Sequence, residues 1–351
     1  MVNARAGARL APSEETAMKF RSTLLAAGVA AAVLALPVQA QFAERTIRLS
    51  NGVNQEHPVG NGVAAMNACV GEKSGGKMKI QAFWGGALGG DLQATQSLRS
   101  GTQEMVITST SPLIGILPDL GVFDLPFLFA NEKEADAVLD GDFGKYISDK
   151  MPAVGLVNIA YWENGFRNLT NSQRPVTKME DLNGVKLRVM QNPVYLDAFK
   201  TLGANAIPLP FSELFTALET KTVDGQENPY NTILSSKFYE VQKYLSVTNH
   251  VYSPWIVLVS KKWWDQLSKA EQKVLLDAAK VSREYERKDT RAEAGRALND
   301  LKGKGMQINE LSVAESARMR DKLTKVNAVI AANVGMDLWN ETKTALEKQR
   351  K

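Results

Sequence analysis

The 351-residue chain is 44% hydrophobic and 23% charged, an ordinary globular composition whose length suits two domains of common size. Its 42 basic and 38 acidic residues nearly cancel, so neither a nucleic-acid surface nor a polybasic membrane patch is indicated. Cys69 is the sole cysteine, which leaves core size rather than disulfides to stabilise the fold.

At the N-terminus, Met18-Lys19-Phe20-Arg21 opens a basic segment, and a 13-residue apolar run follows from Leu24 to Leu36. Val38-Gln39-Ala40 then supplies a small-x-small ending. This is the layout of a secretory signal peptide over residues 1–40, with a start at Met18 and cleavage after Ala40. The run is shorter than the roughly 20 residues that span a bilayer. No second long apolar run follows, so no stable membrane anchor is expected. Beyond Ala40, 38 basic and 36 acidic residues leave a net charge of +2.

Strands and helices then alternate, which argues an α/β architecture. Thr46 to Ser50 reads as a strand and Asn61 to Lys73 as a helix closed by Gly75-Gly76. Within that helix Cys69 shares helical spacing with Val63, Met66 and Val70, so it is expected to pack as a small hydrophobe. Met78 to Trp84 is a second strand, Asp91 caps a helix to Ser100, and Glu104 to Thr108 is a third strand. The segment "PLIGILPDLGVFDLPFLF" reads as a buried crossing. Two short helices lie within Glu132 to Met151, and Val154 to Tyr161 is a strand.

A second set begins at Val185 to Met190, where alternation puts Val185, Leu187 and Val189 on one face and Lys186, Arg188 and Met190 on the other. A helix from Val194 to Leu202 and a short strand from Ala206 to Pro208 follow. Ser212 caps a helix through Thr220, and Asn231 to Leu245 reads as an amphipathic helix. "SPWIVLVS" is the most apolar strand of the second half. Ser268 with Glu271 forms a capping box that opens a helix to about Lys302. Its roughly 34 residues would extend about 50 Å, further than one small domain, so it is expected to lie along both. Val274, Ala278, Val281 and Tyr285 form its apolar stripe. Ser312 with Glu315 opens a further helix ending at Gly335.

Enzyme templates find no match. "GGALGG" at 85–90 lacks the Lys-Ser/Thr ending of a phosphate loop and reads as a turn. His57 and His250 are the only histidines, too few for a metal cluster or a histidine-based triad. No cofactor and no metal site is expected. What remains is recognition chemistry. Arg167 in "YWENGFRNLTN" and Arg188 in "KLRVMQNP" stand near strand ends, and a planar guanidinium offers two parallel donors matched to a carboxylate. In "PLPFSELFTALETKTVDGQENP" an aromatic, Phe211, precedes a helix and an amide, Asn228, follows it. An aromatic wall and amide donors around an arginine suit a pocket for a small polar anion.

From about Ile47 to Met306 the chain resembles the solute-binding proteins of TRAP (tripartite ATP-independent periplasmic) transporters. "GVKLRV", "FSELFTALETKTVDGQENP" and "KFYEVQKYLSVTNH" form the most specific block, and "KSGGKMKI", "DLPFLF" and "NGFRNLTN" occur in the same order. The resemblance implies a two-lobed α/β binding protein with hinge strands and a long helix spanning both lobes. Lobe I would comprise residues 41–165 with about 254–292, lobe II 166–253 with about 293–330, and a C-terminal helix would occupy about 331–351. It also implies a periplasmic monomer that is not an enzyme, with an organic acid as ligand and an integral-membrane TRAP permease as partner.

Carried over by position, Arg188 matches the family's carboxylate-binding arginine and Arg167 a second arginine used by many members. Phe211 matches the aromatic wall and Asn228 the amide after "DGQE". Gln191 falls where some members place a ligand-contacting Asn. Asn51 and Ser109 would contribute from the other lobe. Ser109 stands where sialic-acid-binding members are acidic, which argues against that substrate. Sugar acids, C4-dicarboxylates and aromatic or keto acids stay open, with a lean to a hydroxylated acid because Asn51, Ser109, Gln191 and Asn228 suit hydroxyls. The rival readings are an ABC-type receptor, a sensor's ligand-capturing subunit and a periplasmic enzyme acting on a carboxylate.

Overall fold

The computed structural model describes residues 42–334 and 336–350, and clusters residues from Glu44 onward as one compact unit. The signal-peptide reading therefore lies outside the described residues. Among them, no helix is long and apolar enough to cross a membrane.

Nine strands form one continuous sheet: β1 (Arg45–Ser50), β2 (Met78–Phe83), β3 (Met105–Ser109), β4 (Leu156–Asn171), β5 (Lys186–Val189), β6 (Asn205–Pro208), β7 (Gly225–Asn228), β8 (Tyr244–Ser260) and β9 (Gln307–Glu310). Their spatial order is β2-β1-β3-β8-β4-β7-β5-β6, with β9 also on β8. The arrangement depends on two strands. β4 and β8 run antiparallel from Leu156↔Ser260 to Asn171↔Tyr244, and the outer neighbours of the pair change along its length. The C-terminal part of β8 pairs with β3, while its N-terminal part pairs with β9. The end of β4 pairs with β7. The molecule is thus two sheets sharing two strands, and the chain crosses between its two lobes through them.

This corrects the lengths expected from sequence. β4 extends ten residues beyond Tyr161, and the helix expected over Asn231 to Leu245 is broken into a short helix, Tyr230–Ser235, and a 3₁₀ turn, Phe238–Glu240, with β8 already begun at Tyr244. The strands escaped a period-two reading because their register shifts at Asn158/Ala160, Glu163/Gly165 and Arg167/Leu169. Each bulge moves the following side chains to the opposite face. β7 was also unread: its Gly-Gln-Glu-Asn sequence is buried among polar partners and carries no apolar alternation.

The helix Lys269–Gly303 begins with the expected capping box, Ser268 Oγ accepting from Glu271 N and Glu271 Oε2 from Ser268 N. Its inward face differs from expectation. Val274 and Ala278 are buried, but Val281 and Tyr285 are exposed, and Leu275, Ala279, Ser282 and Glu286 complete the covered stripe. The first half packs on the helix Val59–Lys73, where a Cβ at Gly62 would come within 2.8 Å of Glu286 and Trp162. The last turns reach the other lobe, with Leu301 in a cluster with Leu214, Phe238 and Leu245. Cys69 is half-buried rather than a full core residue, and it is a free thiol.

Glu286 is fully buried; its carboxyl accepts from Glu163 N and Thr290 Oγ1 at 2.9 Å each. Burial pushes its pKa up to about 8, against the smaller lowering effects of those hydrogen bonds. A carboxyl whose folded-state pKa is raised contributes stability below its unfolded value, and that contribution is lost as pH rises through the folded value. The melting temperature should therefore fall between about pH 5 and pH 9, and Glu286→Gln should flatten the decline. Scanning calorimetry across that range checks it; an identical slope in the variant would contradict the assignment.

Candidate functional site

Arg188 lies on β5 between parallel neighbours β6 and β7, with Leu187 opposite Gly225 and Arg188 opposite Ile207. Both strand faces are covered here, so the alternation of β5 does not turn Arg188 to solvent; it is 2% exposed. Its Nε and Nη2 donate to Leu209 O at 2.9 and 2.7 Å, and Nη1 has no partner. The Phe211 ring lies 6.0 Å from the guanidinium carbon. Burial pushes the Arg188 pKa down to about 10. A buried guanidinium with no carboxylate on it is costly unless something anionic completes it.

Arg167, 1% exposed, is held differently. Its Nε and Nη2 grip the Glu227 carboxylate on β7, Nη2 at 2.8 Å from Oε1, and Nη2 also donates to Glu227 O. His250 Nε2 donates to Glu227 Oε2 at 3.1 Å while Nδ1 accepts from Thr248 Oγ1 at 2.8 Å, the tautomer that an acceptor-only carboxylate requires. Burial alone would raise the Glu227 pKa, but the Arg167 charge and the His250 bond outweigh it and hold it low. Arg167 Nη1 is left without a partner, as are Tyr195 OH, whose ring lies 5.8 Å from the Arg167 guanidinium carbon, and Thr110 Oγ1 just past β3. Native interiors leave few such groups. Arg188 Nη1 and Arg167 Nη1 are thus buried donors that no protein acceptor meets. A separate cavity of about 590 Å³, lined by Phe127, Phe129, Phe166, Leu311 and Arg320 among others, includes none of these atoms.

The other lobe reaches the Arg188 side of the cleft through Gly52 and Asp91, which meet the Phe211 ring. A Cβ at Gly52 would stand 3.4 Å from Asp91 Oδ1 and 3.7 Å from Phe211 Cδ1, so the Asp91 carboxylate, the Phe211 ring and the Gly52 backbone meet. The Gly-rich turn after β2 abuts Pro210 and Ser212: a Cβ at Gly90 would lie 3.7 Å from Ser212 Oγ. Burial raises the Asp91 pKa, and a hydrogen bond to Thr108 and the charge of Arg188 partly offset this. Asn192, N-cap of the helix Pro193–Thr201, sends Nδ2 across to Ser111 O at 3.0 Å and Asp124 Oδ2 at 2.6 Å.

Phe211 lies beside Arg188 and the charge of Arg167 acts on Arg188, while buried Asn228 lies opposite Asn168, its Nδ2 donating to Gln226 Oε1. Gln191 is exposed, and its neighbour Asn192 is buried. Asn51 is buried but engaged with main chain, donating to Ile107 O and accepting from Val53 N. Ser109 Oγ faces Ser253 Oγ at 3.4 Å. Sequence reasoning missed Asp91 as a cleft group, Tyr195, and the Asn192–Asp124 contact. The Asn-Pro pair opening a helix was the available signal for Asn192.

Residues 49–333 match the family model described as bacterial extracellular solute-binding protein, family 7. The chain belongs to this family. It is a TRAP solute-binding protein. A crystal structure of the sugar acid binding protein from Advenella mimigardefordensis, in complex with galactonate, is 50% identical with a TM-score of 0.86, covering 88% of this chain and 99% of that one. A TRAP periplasmic solute-binding protein from Polaromonas bound to D-erythronate is 38% identical with a TM-score of 0.82, covering 86% and 98%. The 2,3-diketo-L-gulonate-binding periplasmic protein YiaO of Escherichia coli is 35% identical over 83% of this chain and 88% of its own. These relatives are binding proteins, not enzymes, and the family is periplasmic.

The Arg167–Glu227 pair carries the frame of the site. Truncating one partner of a buried pair costs about 3–5 kcal/mol, so Glu227→Ala should lower the unfolding free energy by about that amount. Glu227→Gln, which keeps an acceptor oxygen, should cost less. Urea denaturation of both variants measures the difference.

Proposed function

We propose that this TRAP solute-binding protein captures a hydroxylated organic acid of the sugar-acid class and delivers it to a TRAP-type permease in the membrane. The observation that carries this reading is Arg188: a guanidinium buried in the cleft, anchored on Leu209 O, whose remaining nitrogen meets no protein acceptor. A carboxylate would supply the missing charge and acceptor. Tyr195 OH, Thr110 Oγ1 and Arg167 Nη1, all without partners, suit the hydroxyls of a sugar acid. The galactonate, D-erythronate and diketogulonate ligands of the relatives support the same class. Phe211 and Asn228 wall the site, with Asn51 and Ser109 as supporting groups behind it. Proposed lobe boundaries near 165/166 and 253/254 coincide with the stretch where β4 and β8 exchange neighbours, the natural place for a hinge.

A thermal-shift panel of sugar acids, keto acids and dicarboxylates identifies the ligand, and calorimetric titration then tests the arginine. Removing one partner of a desolvated charge pair costs about 2–5 kcal/mol, or roughly 30- to several-thousand-fold in Kd. Arg188→Ala should show that loss. Arg188→Lys keeps the charge but not the planar fork, and should weaken binding substantially too. If both folded variants bind within about threefold of wild type, the anion-anchoring role of Arg188 is wrong.

Export is the other half of the proposal. The basic flank, the apolar run Leu24 to Leu36 and Val38-Gln39-Ala40 support cleavage after Ala40. N-terminal sequencing of periplasmic protein should begin at or near Gln41; membrane-held protein that keeps Leu24 to Leu36 would overturn it.

A further inference from the structure

We propose that this cleft selects acids carrying one carboxylate and discriminates against diacids of the same length, with Asp91 as the specificity-determining residue. The inference rests on the carboxylate-receptor reading above and concerns the ligand's charge. Of the two buried guanidiniums, Arg167 is already neutralised, gripping both oxygens of Glu227, which His250 also contacts. Arg188 has only the Leu209 carbonyl. One cation therefore remains for the ligand. The charged groups that act on Arg188 are Glu227, Arg167 and Asp91, and no lysine is among them.

Asp91 occupies the opposite wall. Its Oδ1 and the Phe211 ring flank the same point above Gly52, and the Phe211 ring in turn lies beside the Arg188 guanidinium. A ligand with its carboxylate on Arg188 extends across this narrow space toward Asp91. A hydroxyl arriving there donates to the Asp91 carboxylate. A second carboxylate arriving there has no donor charge to meet and faces a like charge in a site removed from water, where the repulsion is little screened. The cleft thus accepts hydroxyls at the far end of the ligand and refuses an anion there.

Matched acid pairs test this directly. D-galactonate and galactarate share a six-carbon chain and differ at C6, a primary alcohol against a carboxylate; D-erythronate and meso-tartrate are the four-carbon equivalent. Calorimetric titration of all four into the mature wild-type protein should give a Kd for the diacid about 100-fold weaker than for its matched monoacid. In Asp91→Asn the gap should narrow several-fold, mainly through tighter diacid binding. A diacid bound as tightly as its partner by wild type overturns the inference while leaving the receptor reading intact. So does capture of another dicarboxylate, such as succinate, in preference to every monoacid of the panel. An unchanged gap in folded Asp91→Asn overturns the role of Asp91. If no carboxylate of any kind binds, the receptor reading itself fails and takes the inference with it.

Discussion

At the heart of the cleft lies a buried guanidinium that no carboxylate contacts directly. Arg188 is buried on a short parallel strand, and burial works against its charged form. A protein optimised for stability alone would place an apolar side chain there, since replacing buried ions with well-packed hydrophobes is often neutral or stabilising. Here two of its nitrogens are fixed on a main-chain carbonyl, which holds the planar group in orientation without cancelling its charge. The contrast with Arg167 makes the point sharper. Two buried arginines of one lobe differ in a single respect, the presence of Glu227. Arg167 is neutralised by that carboxylate, whereas Arg188 meets only a main-chain carbonyl.

The neutralised pair has a geometric task. Arg167 stands on β4 and Glu227 on β7, so their contact ties a shared strand to the sheet of the second lobe. His250 on β8 joins the same carboxylate. Three strands therefore meet at one buried charge close to where β4 and β8 pass between the lobes. The crossing itself is irregular, with bulges on β4 and Asn168 Oδ1 accepting from both Thr248 N and Asn249 N. Irregular strands bend more readily than uniform ones, while the charge cluster beside them keeps the second lobe rigid. The long helix bridges the same gap from outside, its N-terminal half packed at Gly62 and its C-terminal turns at Leu301.

Much of this was legible in the sequence, and what was not has a common physical cause. The helices with capping boxes and the strands with plain apolar runs could be read from local pattern. So could the arginines, because a guanidinium near a strand end is visible without knowing its neighbours. The long strands were hidden because β-bulges reset the face of each side chain. β7 was hidden because buried polar groups such as Gln226 and Glu227 look like surface residues until their partners are known. Val281 and Tyr285 misled for the converse reason: apolar residues at helical spacing are exposed when the neighbouring face, through Ala279, Ser282 and Glu286, packs more closely. Local pattern carries periodicity, whereas pairing between distant segments must be seen in three dimensions.

Buried Asn192 bears on how the cleft closes. Asn192 makes no use of a ligand: its amide binds Ser111 O and Asp124 directly across the lobes, and the turn at Gly86 and Gly90 rests on Ser212. These contacts favour the closed arrangement whether or not an acid is present. A receptor whose binding-competent state is scarce loses apparent affinity in proportion to that scarcity, so protein-only contacts across the cleft raise affinity by reducing that loss. They also carry a limit, because contacts strong enough to close the empty cleft would bar entry. The unneutralised Arg188 supplies the opposing influence. Closing over it without an anion strips water from an unpaired charge, and closing with one does not. The arginine proposed to anchor the ligand would therefore also make closure conditional on it, and the Asn192 contact need only be strong enough to finish what a carboxylate begins.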